Sequence, residues 1–150
     1  MKAYRRILVP IPADGQGDIL LQRAAELAQA QHAQMLVVRV LDTRSGFEPD
    51  GPAAALPGEA AARRSPDVKK RLDLQLARNN LGWAEAKVVW GEPQAVLADV
   101  IRNWAPDLVV ACSGLLPLGI AEDADILTVG CRSLFGRLVG ALNHHAPRHA

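Results

Sequence analysis

The sequence predicts one open, doubly wound α/β domain, in which a parallel sheet of about five strands carries helices on both faces. Short continuous runs of apolar and β-branched residues, typical of strands buried on both faces, alternate with longer segments of helical period. Turn residues separate the two kinds of segment. The chain has 150 residues, 49% of them apolar, which is the usual size and composition of a single domain with a sizeable core.

The first strand and helix open a βαβ unit. Arg6–Ile11 is a short, continuous, β-branched run that predicts a buried strand. Pro10 and Pro12 have no N–H group for a sheet hydrogen bond, so the strand must end or lie unpaired there. Asp18 is expected to cap the next helix. Residues 35–41 form the second strand, and this order favours a parallel pair with a right-handed crossover. The core face of the helix repeats at i, i+4, i+7 and i+8: Leu20, Ala24, Leu27 and Ala28.

A long loop and a second helix follow. Residues 43–64 are rich in proline, glycine and alanine and show no clear period, so we expect a surface loop. Ser65 and Pro66 then begin a helix, as its N-cap and first helical residue. The helix ends at residues 79–82, and its core face is Val68, Leu72 and Leu76.

The second half of the chain repeats the alternation. Residues 87–90 are the third strand, and residues 91–93 (Gly-Glu-Pro) open a third helix. Residues 107–111 are the fourth strand, and Asp125–Val129 is the fifth. The inward positions of the third helix are Val96, Leu97, Val100, Ile101 and Trp104.

Charge and composition exclude several classes of function. The formal net charge is +1, which argues against a dedicated nucleic-acid binder and gives no reason to expect a membrane surface or an acidic substrate. No apolar run could span a membrane and no signal-peptide pattern is present, so we expect a cytoplasmic protein. Two cysteines do not make a disulfide framework. Without a recognisable Ser-His-Asp order, carboxylate pair or metal cluster, we expect no catalytic machinery.

Three features each allow both a functional and a purely structural interpretation. Asp14, Gly15 and Gly17 could form a phosphate-binding turn before a helix, or only a tight strand-to-helix turn. Cys112 could be a redox-sensing thiol or a buried structural cysteine. The three histidines within residues 144–149 could bind a metal, although near a chain end such residues are usually solvated.

Three pieces of the chain together carry a resemblance to a known family. The first is Tyr-Arg-Arg-Ile-Leu-Val-Pro-Ile at residues 4–11, with the helix end Arg-Ala-Ala-Glu-Leu-Ala at 23–28. The second is Val-Val-Trp-Gly-Glu-Pro at 88–93, and the third is Ala-Pro-Asp-Leu-Val-Val at 105–110. In order and spacing, over roughly residues 4–113, they resemble the universal stress protein family, which implies its α/β fold.

The resemblance implies two classes of member, those that bind ATP and those, similar to UspA, that do not. In the binders an aspartate at the end of the first strand contacts the adenine. Here Pro12 stands at that position, and Asp14 lies two residues later. Proline offers neither a donor nor an acceptor from its side chain or its nitrogen, so it cannot replace the carboxylate. If a nucleotide bound, the backbone of Val40 or Leu41 would contact the adenine, as the resemblance implies.

The phosphate loop of the binders has the form Gly-x-x-Gly, nine residues, then Gly-Ser or Gly-Thr. After the fourth strand, Cys112 and Leu115 take the two glycine positions, with Ser113 and Gly114 between them. Bare backbone amides in such a loop hold phosphates, aided by the start of a helix. Amides near three glycines would do so in this chain: Gly15, Gly17 and Gly114.

A second alignment of the phosphate loop is possible. It begins at Gly130 and places Ser133 at the second glycine. We favour the first alignment, in which residues 132–150 are an atypical addition and Ser133 caps a last helix.

We therefore expect a non-catalytic, UspA-like universal stress protein that acts in stress tolerance or regulation through protein contacts and has no cofactor. The resemblance implies a homodimer through the fifth strand, from Ile126 to Val129, whose edge would otherwise expose unpaired backbone groups. An unknown regulatory protein is the other expected partner, with no nucleic acid and no membrane. Two alternatives stay open: an ATP- or AMP-binding switch at the carboxyl ends of the first and fourth strands, and a small-ligand or redox sensor centred on Cys112.

Overall fold

A computed structural model of the chain describes residues 3–12, 17–43, 57–112 and 123–130. No helix in this part of the chain is both long enough and apolar enough to cross a membrane. Strands and helices alternate along it, as in successive βαβ units. The elements are β1 (Arg6–Ile11), α1 (Asp18–Gln31), β2 (Gln34–Asp42), α2 (Pro57–Arg78), β3 (Glu85–Gly91), α3 (Pro93–Trp104), β4 (Leu108–Cys112) and β5 (Asp125–Val129).

The strands form one parallel sheet with the order β3-β2-β1-β4-β5. The chain winds outward from β1 to β3 and then returns to place β4 on the other side of β1. Because crossovers in parallel sheets are right-handed, this reversal puts the helices on opposite faces. α1 and α2 pack on one face and α3 on the other. The predicted doubly wound sheet and its five strands are confirmed, with β2 and β3 longer than predicted.

Alternation along the central strands builds a core on each face of the sheet. In β1, Ile7 and Val9 join the cluster under α1 and α2, whereas Leu8 between them joins the cluster under α3. All three side chains are fully buried. Burying one such side chain stabilises the fold by about 1.5–3 kcal/mol. An apolar run without a polar position therefore predicts a central strand.

The start of α1 differs from the prediction. Asp18 is the first residue of the helix rather than its N-cap, which is Gly17. Gly17 has a left-handed backbone, a conformation that glycine adopts without strain, so the helix begins at the residue after it. The Asp18 carboxylate accepts hydrogen bonds from Gln75 Nε2 at 2.8 Å and Asn79 Nδ2 at 3.2 Å. Both donors lie on α2, so Asp18 ties α1 to α2.

The loop predicted for residues 43–64 is wrong from residue 57 onward. α2 begins at Pro57, where a missing N–H costs no helical hydrogen bond, and Ser65 and Pro66 lie inside the helix. Alanine is the best helix former, and Ala61 is buried in a small cluster with side chains of β2 and α2. Pro66 has no N–H group, so it donates no hydrogen bond within α2.

Asp107 joins the amino ends of three strands. Its carboxylate accepts hydrogen bonds from the backbone N–H groups of Arg5 at 2.9 Å and Arg6 at 3.0 Å. Its carbonyl accepts a hydrogen bond from the N–H of Asp125 at 3.1 Å. Asp107, just before β4, therefore holds the amino ends of β1 and β5 beside the amino end of β4.

Candidate functional site

The direction in which the chain adds strands to the sheet reverses between β1 and β4. The connection after β1 packs α1 on one face, whereas the connection that leads into β4 packs α3 on the opposite face. In open parallel sheets such a reversal leaves a crevice at the carboxyl ends of the strands, where ligands bind. Pro12 follows β1 directly, and Cys112 is the last residue of β4. The crevice predicted at these two strand ends is thus a consequence of the observed strand order.

Gly17 lies directly against the end of β1. A Cβ on Gly17 would stand 3.0 Å from both Ile11 Cγ1 and Pro12 Cδ, a distance that forces the neighbours to move. Its φ of +92° is in the left-handed region that glycine adopts without strain. As N-cap it supplies no side-chain acceptor, and its carbonyl accepts the Leu21 N–H at 2.9 Å. The structure thus brings Pro12 and Gly17 together, with the positive dipole end of α1 beside them.

Val40 and Leu41 point to opposite faces of the sheet at the end of β2. The Val40 side chain packs against the cluster under α3. Leu41 is buried on the α2 face together with Ala61 and Val68. Both side chains are therefore part of the core, so only the backbone groups of these two residues could contact a ligand.

Cys112 ends β4 as a buried residue opposite Val129 of β5. It is the one cysteine that the structure describes, and it is disulfide-bonded rather than a free thiol. A disulfide is a product of thiol oxidation, which fits a structural bond and a redox-sensing role equally, so the redox hypothesis for Cys112 stays a prediction.

Several predicted site residues lie outside the described residues. They include Asp14 and Gly15 of the first turn and the residues after β4 and β5: Ser113, Gly114 and Ser133. The histidines within 144–149 and the atypical segment 132–150 also lie outside. Gly130 is described and exposed, with open space where a Cβ would stand. Across the described ranges, no three His, Cys, Asp or Glu side chains are grouped closely enough to hold a metal ion.

Two cavities lie on opposite faces of the sheet, and the sequence predicted neither. One, of about 250 Å³, lies between α2 and the ends of β1 and β2, and three of its lining residues are arginines. The other, of about 450 Å³, lies between α3 and the strands β2 and β3 and mixes apolar with charged lining residues. The sequence signal for the first cavity is a polar repeat on α2, in which Arg71, Gln75 and Arg78 stand at i, i+4 and i+7. Its third arginine, Arg39, comes from β2 and only the fold brings it there.

Comparison with protein-family models gives a match over residues 3–114, which cover the sheet from β1 to the end of β4. The matching model describes the universal stress protein family. A comparison with curated protein sequences finds no significant match.

Solved structures with a similar fold come from bacteria, archaea and plants. The universal stress protein UspA from Lactobacillus plantarum is 17% identical with a TM-score of 0.60, over 86% of this chain and 99% of that one. The universal stress protein from Archaeoglobus fulgidus in complex with dAMP is 18% identical with a TM-score of 0.54, over 87% of this chain and 100% of that one. A universal stress protein family member from Arabidopsis thaliana with AMP bound is 14% identical with a TM-score of 0.52, over 87% and 94% of the two chains. At these identities the likeness shows a shared fold.

Proposed function

The chain belongs to the universal stress protein family, and we propose that it acts in stress tolerance or regulation through protein contacts, without catalysis and without a bound adenine nucleotide. We place this activity in the cytoplasm. The partners we propose are a second copy of the chain and a regulatory protein of unknown identity. The observation that carries the proposal is the environment of Pro12.

Pro12 stands where nucleotide-binding relatives are expected to have an aspartate. The proline ring has no hydrogen-bonding group, and its nitrogen has no hydrogen, so the adenine would lose a polar partner at this place. A ligand site that must leave a polar group unpaired on binding loses roughly 1–3 kcal/mol. The Gly17 backbone lies close to the ring, since a Cβ on Gly17 would stand 3.0 Å from Pro12 Cδ. The missing polar partner at Pro12 supports an empty adenine position.

The alternative is a nucleotide-dependent switch. Relatives of similar fold were solved with AMP, dAMP and cAMP. In this chain the uncapped start of α1 after Gly17 offers backbone N–H groups and a positive dipole end to an anion at the crevice. Under this alternative ATP or AMP would occupy the crevice and regulate the protein contacts.

A thermal-shift titration separates the two proposals. A ligand present at about 100 times its Kd stabilises the folded state by about 2.7 kcal/mol, which raises the Tm of a domain this size by roughly 5–11 °C. Without a nucleotide site, ATP and AMP at about millimolar concentration should move the Tm by less than about 1 °C. A saturable rise of several degrees with either nucleotide would favour the switch.

β5 offers a surface for pairing with a second copy. It is the outermost strand next to β4, so one side of its backbone lacks a neighbouring strand among the described residues. Ile126 and Leu127 are large apolar residues, 42% and 41% exposed, and they point to opposite faces because strand side chains alternate. Pairing two such edges across a two-fold axis would cover both backbone groups and apolar surface.

Two matched variants test the dimer. Ile126→Lys places a charge on the proposed pairing edge, whereas Ile19→Lys changes an isoleucine of nearly equal exposure (44%) on α1. In sedimentation velocity at micromolar concentration, we expect the unchanged chain and Ile19→Lys to be dimers and Ile126→Lys to be a monomer. A monomeric unchanged chain, or identical behaviour of the two variants, would contradict pairing through β5.

A further inference from the structure

The smaller cavity is formed by one face of α2 and the ends of two strands. Ile11 of β1 and Arg39 of β2 are register partners at its base. Five residues of α2 complete its lining, among them Arg71, Gln75 and Arg78. The cavity therefore lies on the face of the sheet that α1 and α2 cover, and no α3 residue is among its described lining residues.

Four of the five α2 residues that line the cavity follow one helical stripe. Arg71, Leu74, Gln75 and Arg78 stand at i, i+3, i+4 and i+7, positions that share a face of a helix. Gln75 is buried, and its Nε2 donates to the Asp18 carboxylate at 2.8 Å. This bond holds the stripe against the start of α1. The two arginines at its ends are about 10.5 Å apart along the helix axis, at 1.5 Å per residue.

All the charged residues that line the cavity are positive. Arg39, Arg71 and Arg78 line the cavity, and none of its described lining residues is acidic. Elsewhere on α2 acidic residues are interspersed with the basic ones, and Lys69 pairs with Asp73 at 3.1 Å. Arg39 and Arg71 have further interactions within the chain, which a ligand would add to or replace. Guanidinium groups that converge on a concave site raise the local concentration of anions and lose mutual repulsion when an anion binds.

We propose that this cavity binds a compact phosphoryl anion, such as inorganic phosphate, pyrophosphate or the phosphate end of a small metabolite. The planar guanidinium fork matches two phosphate oxygens at once, which makes arginine the usual residue for such recognition. At about 250 Å³ the cavity is smaller than typical sites for drug-sized ligands. Its size thus fits a compact anion better than a whole nucleotide. The cavity borders the crevice at Pro12, because its lining residue Ile11 also lies against Gly17. The proposal needs no adenine site, so it does not depend on the proposed function.

Pyrophosphate is the probe for an NMR titration of the full chain at low ionic strength. We expect saturable shifts of backbone amides at Arg39 and along residues 71–78. The double variant Arg71→Gln/Arg78→Gln should weaken binding by about tenfold or more, because two charge-assisted hydrogen bonds are lost. The control Arg63→Gln/Lys70→Gln removes the same charge from α2 at positions that do not line the cavity, and should change affinity by less than about twofold.

Three outcomes would overturn the proposal. They are no saturable shift up to about 10 mM pyrophosphate, equal weakening by the two double variants, and amide shifts that map to Gly17 instead of α2. Circular dichroism of each variant establishes that it is folded. A parallel titration with ATP distinguishes the source of the anion. ATP shifts confined to α2 would support recognition of its phosphates alone, whereas pyrophosphate shifts that appear only at the crevice would assign the anion to the alternative nucleotide site.

Discussion

Replacing Gly91 with alanine should destabilise the junction between β3 and α3. Gly91 has a φ of +145°, in a region that residues with a side chain rarely adopt, and a Cβ there would stand 2.4 Å from Val96 Cγ2. The backbone strain costs about 1–3 kcal/mol. The overlap with Val96 costs about another 1–3 kcal/mol. We therefore expect Gly91→Ala to lower the free energy of unfolding by about 2–6 kcal/mol, a large part of the usual total of about 5–15 kcal/mol.

Urea unfolding followed by tryptophan fluorescence measures this loss, since the chain has three tryptophans and one of them is Trp90. The matched control is Gly82→Ala. Gly82 has no heavy atom within 4 Å of where a Cβ would stand and no positive φ, so we expect a change between zero and a gain of about 1 kcal/mol.

A double variant separates the two costs. In Gly91→Ala/Val96→Ala the overlap with Val96 Cγ2 is removed while the backbone strain remains, so the two substitutions should couple by about 1–3 kcal/mol. A loss below about 0.5 kcal/mol for Gly91→Ala, or strict additivity with Val96→Ala, would refute the reasoning. The close packing of Gly91 on Val96 would then not be what positions α3.

Two further substitutions test how strand and helix ends are held. Asp107→Ala removes the acceptor of two backbone N–H groups and should lower the free energy of unfolding by about 1.5–3 kcal/mol. The control Asp73→Ala breaks only an exposed ion pair, so in the same urea experiment it should cost less than about 1 kcal/mol. Glu92→Ala removes the N-cap of α3, whose carboxylate accepts the Gln94 and Ala95 N–H groups, and should cost about 1 kcal/mol; no loss of stability would show that this cap contributes nothing.

β1 and β4 could be predicted from sequence because they are buried on both faces of the sheet. Neither strand has an exposed residue, so their apolar runs match their observed bounds closely. The start of α3 was predictable for a local reason, since Gly91, Glu92 and Pro93 supply a turn, a cap and a first helical residue. Each of these signals lies within a few neighbouring residues.

The start of α2 and the arginine cavity were not predictable, because both depend on contacts between distant residues. The alanine-rich segment shows no helical period, and its burial against β2 becomes visible only in the fold. Likewise Arg39 is one charged position in an apolar strand until the sheet places it beside Arg71 and Arg78. The packing of Gly17 on Pro12 also follows from the path of the chain rather than from either residue.

The most direct test of the proposed function is the nucleotide content of the purified chain. The protein is denatured with acid, and the released small molecules are identified and quantified by mass spectrometry against the protein concentration. With Pro12 in place of the adenine-contacting aspartate, we predict that ATP and AMP are each far below one molecule per chain. ATP or AMP in near-stoichiometric amount would contradict the account and establish the nucleotide switch in its place.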